Sequence, residues 1–174
     1  MHKPYRIPLS WLMALLPLLG NTQTCKTQTI KATAPTTRYV QYSNGTVLDK
    51  YTGLMWKTCS EGQLWNAPRH TCNFVASEYP WQQALQQAQK VNANGGYANY
   101  KDWRVPNSEE LRTLAEEQCY GPAINLKVFP ATEGDALVWS SDHDSYINFL
   151  DGGGGRFYIE ELKYKQVRLV RGGR

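Results

Sequence analysis

The sequence predicts an α+β fold built on antiparallel strands. Short β-prone runs separated by turn residues come first, two amphipathic helices follow, and short strands with glycine-rich turns close the chain. No strand–helix–strand alternation is present, which argues against a parallel sheet.

Residues 26–37 (KTQTIKATAPTT) are polar and threonine-rich, so they read as an extended lead-in without a core of its own. Arg38 to Tyr42, Thr46 to Asp49 and Leu54 to Lys57 are β-prone, and Ser43-Asn44-Gly45 and Lys50-Tyr51-Thr52-Gly53 supply turns between them. Together they predict an antiparallel meander. Asn44-Gly45-Thr46 also matches a glycosylation sequon, for which a hairpin turn is the simpler explanation.

Trp81, Ala84, Leu85, Ala88 and Val91 recur at helical spacing, with five glutamines and Lys90 on the opposite face. The stripe predicts a helix over 81–92, ended by the Gly95-Gly96 loop. Trp103 to Pro106 reads as extended, because the residue before proline is pushed out of the helical region. Asn107 stands three residues before Glu110, an N-cap and N3 pair, and Leu111, Leu114 and Ala115 extend the predicted second helix to about Gln118. Beyond Cys119, short strands are expected at Val128 to Pro130, Ala136 to Trp139, Tyr146 to Leu150, Arg156 to Ile159 and Gln166 to Arg171. Asp151 followed by four glycines reads as a hairpin connection.

The N-terminus has the order of an export signal. His2, Lys3 and Arg6 precede an apolar run from Ile7 to Leu19, and small or polar residues follow. The run is shorter than the roughly 20 apolar residues that span a bilayer. Residues 1–22 are therefore expected to be a signal peptide, residues 23–37 the lead-in and residues 38–174 one domain. Acylation of Cys25 is a second option, although Thr22-Gln23-Thr24 fits a lipoprotein signal poorly. With Lys3 and Arg6 gone, 17 of the 19 basic side chains face 15 acidic ones, a balance that gives no reason to invoke nucleic acid.

Four cysteines, Cys25, Cys59, Cys72 and Cys119, form an even set in a chain expected to be exported, so disulfides are predicted. Three connectivities are possible. Cys59 with Cys72 would close the turn-rich stretch between them, leaving Cys25 with Cys119 by elimination. A zinc site using His70 is the alternative, disfavoured because no cysteine pair has the spacing such sites prefer.

Gly53-Leu54-Met55-Trp56, Trp81-x-x-Ala84-Leu85, Asp102-Trp103-Arg104-Val105-Pro106-Asn107-x-x-Glu110-Leu111, Phe129-Pro130, Val138-Trp139-Ser140-Ser141 and Val167 to Gly173 resemble, in order, the blocks of the Lcl C-terminal domain family. That family occurs in bacterial secreted and surface proteins. It is similar to the wider C-type-lectin-like group, which includes the domain of formylglycine-generating enzymes. The resemblance covers about residues 38–173 and implies a C-type-lectin-like fold with its N- and C-terminal strands paired. It also implies an adhesin-like role toward a glycan or an extracellular protein, with trimers or another homo-oligomer. A structural subunit of a surface or pilus assembly is the runner-up reading, and an enzyme akin to the formylglycine-generating proteins the third.

The residues themselves point to binding. Past the signal segment only His70 and His143 are available, and neither a Gly-x-Ser-x-Gly nor a His-Glu-x-x-His motif is present. Glu109, Glu110, Glu116 and Glu117 read as the solvated face of a helix. Trp56, Trp81, Trp103 and Trp139 are expected in the core. The Glu-Pro-Asn, Gln-Pro-Asp and Trp-Asn-Asp motifs of calcium-dependent lectins do not occur, and calcium at Asp142, Asp144 and Asp151 is the weaker of two readings of an acidic turn. No cofactor is expected otherwise. The candidate binding surface is Ser141 to Gln166, with Asp142, Asp144, Tyr146, Asn148, Arg156, Tyr158 and Tyr164 as its contact residues. An anionic ligand would use Arg156, Lys163, Lys165, Arg168, Arg171 and Arg174.

Overall fold

The computed structural model describes residues 22–156 and 163–173. The expected signal peptide, apart from Thr22, lies outside them, as do Tyr158, Arg174 and the strand expected past Arg156.

The chain enters through β1 (Thr24–Cys25) and then forms β2 (Tyr39–Gln41), β3 (Thr46–Asp49) and β4 (Met55–Lys57) as an antiparallel meander. At the first turn the Asn44 side-chain oxygen accepts from the Thr46 N–H and hydroxyl. Gly45 adopts φ 80°, and a Cβ there would fall 2.2 Å from the Tyr97 hydroxyl oxygen, so only glycine fits. At the second turn Asp49 accepts from the Tyr51 N–H and the Thr52 hydroxyl while Arg38 grips both its oxygens.

A hairpin of β5 (Leu64–Asn66) and β6 (Thr71–Asn73) follows, then β7 (Glu78–Tyr79) and the helix α1 (Trp81–Ala93), where the apolar stripe placed it. The second helix, α2 (Ser108–Arg112), opens with the expected capping box, Asn107 and Glu110 each accepting from the other's backbone N–H. It ends well before Gln118. The Glu116 N–H is drawn off to Ala123, and the Glu116 carboxylate turns inward to accept from the N–H groups of Thr33, Ala34 and Gln118. Glu116 is therefore a buried cap on the N-terminal segment, and its expected place on a solvated helix face is corrected.

β8 (Cys119–Tyr120) pairs with β1, and Val128-Phe129, expected as a strand, sits instead in a turn initiated by Asn125 while remaining fully buried. Next come β9 (Leu137–Trp139), β10 (Ser145–Asn148), β11 (Gly154–Arg156), β12 (Lys165–Gln166) and β13 (Val170–Arg171). A five-stranded sheet runs β11-β10-β9-β12-β7, antiparallel except for the β9–β12 pair. A four-stranded antiparallel sheet runs β13-β4-β3-β2. Its first and last strands share that sheet at opposite edges, with the β3–β4 hairpin between them, so they are not direct neighbours. The run Gln166 to Arg171, expected as one strand, is split between the two sheets, with Val167, Arg168 and Leu169 buried at the crossing.

The result is the expected α+β architecture of the C-type-lectin-like kind, with mostly antiparallel strands, two helices and long loops. One core cluster gathers Trp56, Leu111, Leu114, Ile124, Phe129 and Phe149 beneath the four-stranded sheet. A second packs Trp103, Trp139, Val167 and Leu169 against Ala84 and Ala88 of α1. Each such large side chain stabilises by about 1.5–3 kcal/mol when fully buried.

Two disulfides are formed, Cys25–Cys119 and Cys59–Cys72. The first ties the N-terminal segment to β8. That segment is further fixed by Gln23, whose amide donates to the carbonyls of Pro122 and Ile124, and by Ala34, which enters the core. His70 is exposed and rests its ring edge-on against Trp65, 5.9 Å between centroids.

Candidate functional site

The first turn of α1 and the loop after β9 meet in a cleft of about 520 Å³ lined by Pro80, Trp81, Gln82, Trp139, His143, Asp144 and Lys163. Pro80 at the helix N-cap sets the chain direction, so Trp81 becomes the first helical residue and its indole reaches across to the loop. The Trp81 Nε1–H donates to the Ser140 carbonyl at 3.0 Å, which fixes the ring plane. His143 stands over it, ring centroids 5.1 Å apart at 58°, and its Nδ1 lies 2.9 Å from Asp144 Oδ2. Asp144 takes φ 52°, a left-handed conformation that an aspartate adopts more readily than most residues.

Behind this wall, Trp139 donates its indole N–H to the Tyr79 carbonyl, and Tyr146 meets it edge-on at 6.3 Å. The Lys165 ammonium is buried against both rings, 3.9 Å from the Trp139 centroid and 4.7 Å from that of Tyr146. Burial pushes Lys165 down to about 8, against the pull of the Glu78 and Asp144 carboxylates.

The loop carrying His143 is positioned by hydroxyls and a carboxylate. Ser108 Oγ lies 3.0 Å from Ser140 Oγ and 2.9 Å from Ser145 Oγ, and the Ser108 N–H donates to Asp142. On the other side of the Trp81–Ser140 contact a second cleft, about 420 Å³, runs along α1 between Leu85, Ala88, Gln89 and Asn92 and the facing Trp103, Arg104, Val105, Asn107 and Ser141. Arg104 at its edge is held by a two-pronged pair with Glu110. Burial works to raise Glu110, but the hydrogen bonds from Arg104 and the Asn107 N–H outweigh it and hold the carboxylate below its usual range.

Of the residues expected on the binding surface, Asp144 lines the first cleft, and Tyr146 lies behind it. Asp142 is exposed but is committed to the Ser108 N–H. Asn148 sits at the far end of β10, where its side chain accepts from the Leu150 N–H in the hairpin turn. Arg156 is exposed on β11 opposite Ser145, and Tyr164 is half-exposed beside Lys163. Tyr158 is outside the described residues.

Two of the basic residues assigned to an anionic ligand are not available to one. Arg168 is 1 % exposed, its guanidinium donating to the Lys57 and Thr58 carbonyls and the Ser60 and Thr132 hydroxyl oxygens, and Lys165 is buried on its aromatic pair. Arg171 pairs with Asp102 and lies 3.8 Å over the Tyr100 ring. Sequence reasoning placed Trp81 in the core with the other tryptophans. Trp56, Trp103 and Trp139 are buried there, whereas Trp81 is half-buried and forms a cleft wall. Its position directly after a proline at a helix start was the available signal.

Among the described residues no group of three or more His, Cys, Asp or Glu is placed to hold a metal ion. Among the same residues no helix is long and apolar enough to cross a membrane. Two disulfides are the signature of a chain that folds in an oxidising compartment.

No curated protein and no solved structure matches the chain. A family does, over residues 45–171, a span that begins at the first hairpin glycine and ends in β13, and contains both clefts. By that match over most of its length, the chain belongs to the Lcl C-terminal domain family.

Proposed function

We propose that this chain is an exported, non-enzymatic binding module that recognises an extracellular glycan or protein at the Trp81–Asp144 cleft. The observation that carries the reading is the pairing, in one recess, of a fixed indole face with a carboxylate and an imidazole. Rigid aromatic area beside adaptable polar groups is what recognition surfaces use. The described carboxylates support it indirectly, because Asp49, Glu110 and Glu116 are each engaged in holding the fold.

A screen against a glycan array and a panel of matrix proteins at physiological salt tests the proposal. Binding that falls when the exposed His143 is changed to Ala is the expected result. A folded protein that binds nothing on either panel overturns it.

A second reading, a subunit of a surface assembly, is favoured by a separate feature. Leu64, Phe74 and Val75, on and just beyond the disulfide-braced β5–β6 hairpin, are 62 %, 71 % and 74 % exposed. Large apolar side chains so exposed mark contact surfaces. Sedimentation of the wild-type chain and of the triple serine variant separates the readings. Association lost in the variant supports assembly; a wild-type chain that stays monomeric at every concentration rejects self-assembly.

A further inference from the structure

We infer that the N-terminal segment carries a redox-operated lid: residues 23–31, latched by the exposed Cys25–Cys119 bridge, close over a cavity on the 116–127 segment, and a dithiol reductant opens them while the Cys59–Cys72 bridge stays intact.

The two bridges differ in access. Cys25 and Cys119 stand directly opposite each other in the short β1–β8 pair, Cys25 exposed and Cys119 half-buried, and both border a cavity of about 300 Å³. Cys59 and Cys72 are only 2 % and 6 % exposed. Thiol–disulfide exchange requires the attacking sulfur to reach the bridge, so exposed bridges are the labile ones. One thiolate of a dithiol attacks a sulfur of the Cys25–Cys119 pair, forming a mixed disulfide and expelling the other cysteine as thiolate. The second thiol of the reagent then displaces the remaining cysteine. The dithiol ends as a disulfide, two electrons have passed to the pair, and the two protons of the dithiol end on Cys25 and Cys119 as thiols.

What this bridge holds is a stretch with few other ties. Every residue from 24 to 31 is exposed. Beside the β1–β8 pairing, the Lys26 N–H donates to the Gln118 carbonyl, the Gln118 amide donates to the Ile30 carbonyl, and the half-buried Gln23 amide donates to the carbonyls of Pro122 and Ile124. Hydrogen bonds in such exposed places exchange readily for water and contribute modestly. The next few residues are anchored in another way. Ala34 is fully buried in the first core cluster, Glu116 accepts from the N–H groups of Thr33 and Ala34, and the Asn125 amide donates to the Ala34 carbonyl and the Thr36 hydroxyl oxygen. Loss of the bridge therefore frees the outer half and leaves the inner half pinned. Gln23 and Cys25 line the cavity from the lid, and Gln118, Ile124 and Leu126 line it from the body, so the open lid uncovers an apolar floor. The matched family span begins at residue 45, ahead of which the lid lies, and the body keeps its own bridge when the lid opens.

The experiment holds the folded chain, without denaturant, in buffers of graded reduced to oxidised dithiothreitol. Free thiols are then alkylated and located by mass spectrometry, and amide hydrogen exchange is followed on the same samples. Cys25 and Cys119 should become alkylated at a reductant level about tenfold or more below that which opens Cys59 and Cys72. The Lys26 and Ile30 amides should then exchange faster, while those of Thr33, Ala34 and α1 stay slow. Returning the sample to oxidised buffer should restore protection at Lys26 and Ile30. Glu116→Ala with the bridge intact should give the complementary pattern, fast at Thr33 and Ala34 and unchanged at Lys26.

Bridges that open together, or Cys59–Cys72 opening first, overturn the inference. So does a reduced Cys25–Cys119 pair with unaltered exchange at Lys26 and Ile30, which would leave no lid. Reduction that quickens exchange in α1 as well would make the bridge a staple of the whole fold, and overturns it too.

Discussion

Arg168 lies with its guanidinium 5.0 Å from the centre of the Phe129 ring, fully enclosed, and donates from its two terminal nitrogens to two carbonyls and two hydroxyls of the 57–60 and 132 segments, its Nε being left unpaired among the described residues. Burial pushes it down to about 10, with the Glu61 carboxylate pulling the other way. The group works as a bracket, joining the crossing between β12 and β13 to the end of β4.

Replacing that bracket leaves buried acceptors unpaired, which costs about 1–3 kcal/mol for each. Arg168→Met, which orphans four acceptors, is therefore expected to lower stability by at least about 4 kcal/mol in urea unfolding. Arg168→Lys should rescue little of it, because an ammonium lacks the planar fork that reaches several acceptors at once.

The two disulfides should differ in their contribution. Cys25–Cys119 closes a separation of 94 residues and Cys59–Cys72 one of 13. The chain-entropy account gives about 4.7 and about 3 kcal/mol. Paired serine variants of each bridge, compared by thermal and denaturant unfolding, should rank in that order; the reverse order would show that the β1–β8 strap contributes little beyond its cross-link.

Glu116→Ala should release the N-terminal segment without collapsing the body. Its carboxylate accepts from the N–H groups of Thr33 and Ala34, and hydrogen bonds to a charged group are worth about 1.5–3 kcal/mol. Hydrogen exchange should quicken at Thr33 and Ala34 and stay slow in α1. Uniformly faster exchange would place the carboxylate in the global core.

Lys165 sets a pH dependence with a definite sign. Its folded value, about 8, lies below the unfolded value of roughly 10.4, so between these limits the unfolded chain holds more protons. Stability owed to this group must rise with pH across that window. Tyr39, raised by burial, acts in the opposite sense above pH ~10, where the unfolded phenol ionises first. Unfolding measured between pH 7.5 and 9.5 should show the rise, and Lys165→Met should flatten it; an unchanged slope in the variant would assign the effect elsewhere.

What could be read in advance followed local rules. The stripe from Trp81 to Val91 and the Asn107–Glu110 pair are short-range signals, and both helices begin where those signals lie. Asn44-Gly45 and the four glycines after Asp151 marked hairpins for the same reason. Long-range partners decided the rest. α2 stops at Arg112 because Ala123 and Thr33 compete for the backbone and side chain of Glu116. Gln166-Val167-Arg168-Leu169 alternates like a surface strand, yet Arg168 is interior because four acceptors from distant segments meet there. The candidate cleft was half-legible: the 141–166 segment contained Asp144 and Lys163, but Trp81, sixty residues earlier, could not be joined to it by spacing alone.

The stretch from Lys165 to Arg171 fills the gap between β9 and β7 in one sheet and adds an edge to the other. Of the described strands these two come last in chain order. A chain delivered from its N-terminus thus has neither sheet complete until almost all of it has emerged. Helices and hairpins can form early, but cooperative closure waits for the final delivery, and a chain halted short of residue 165 is left with an open slot flanked by two unpaired strand edges. On the proposed reading of an exported chain, that delay would keep the moving polypeptide loose until there is room on the far side of a membrane to shut.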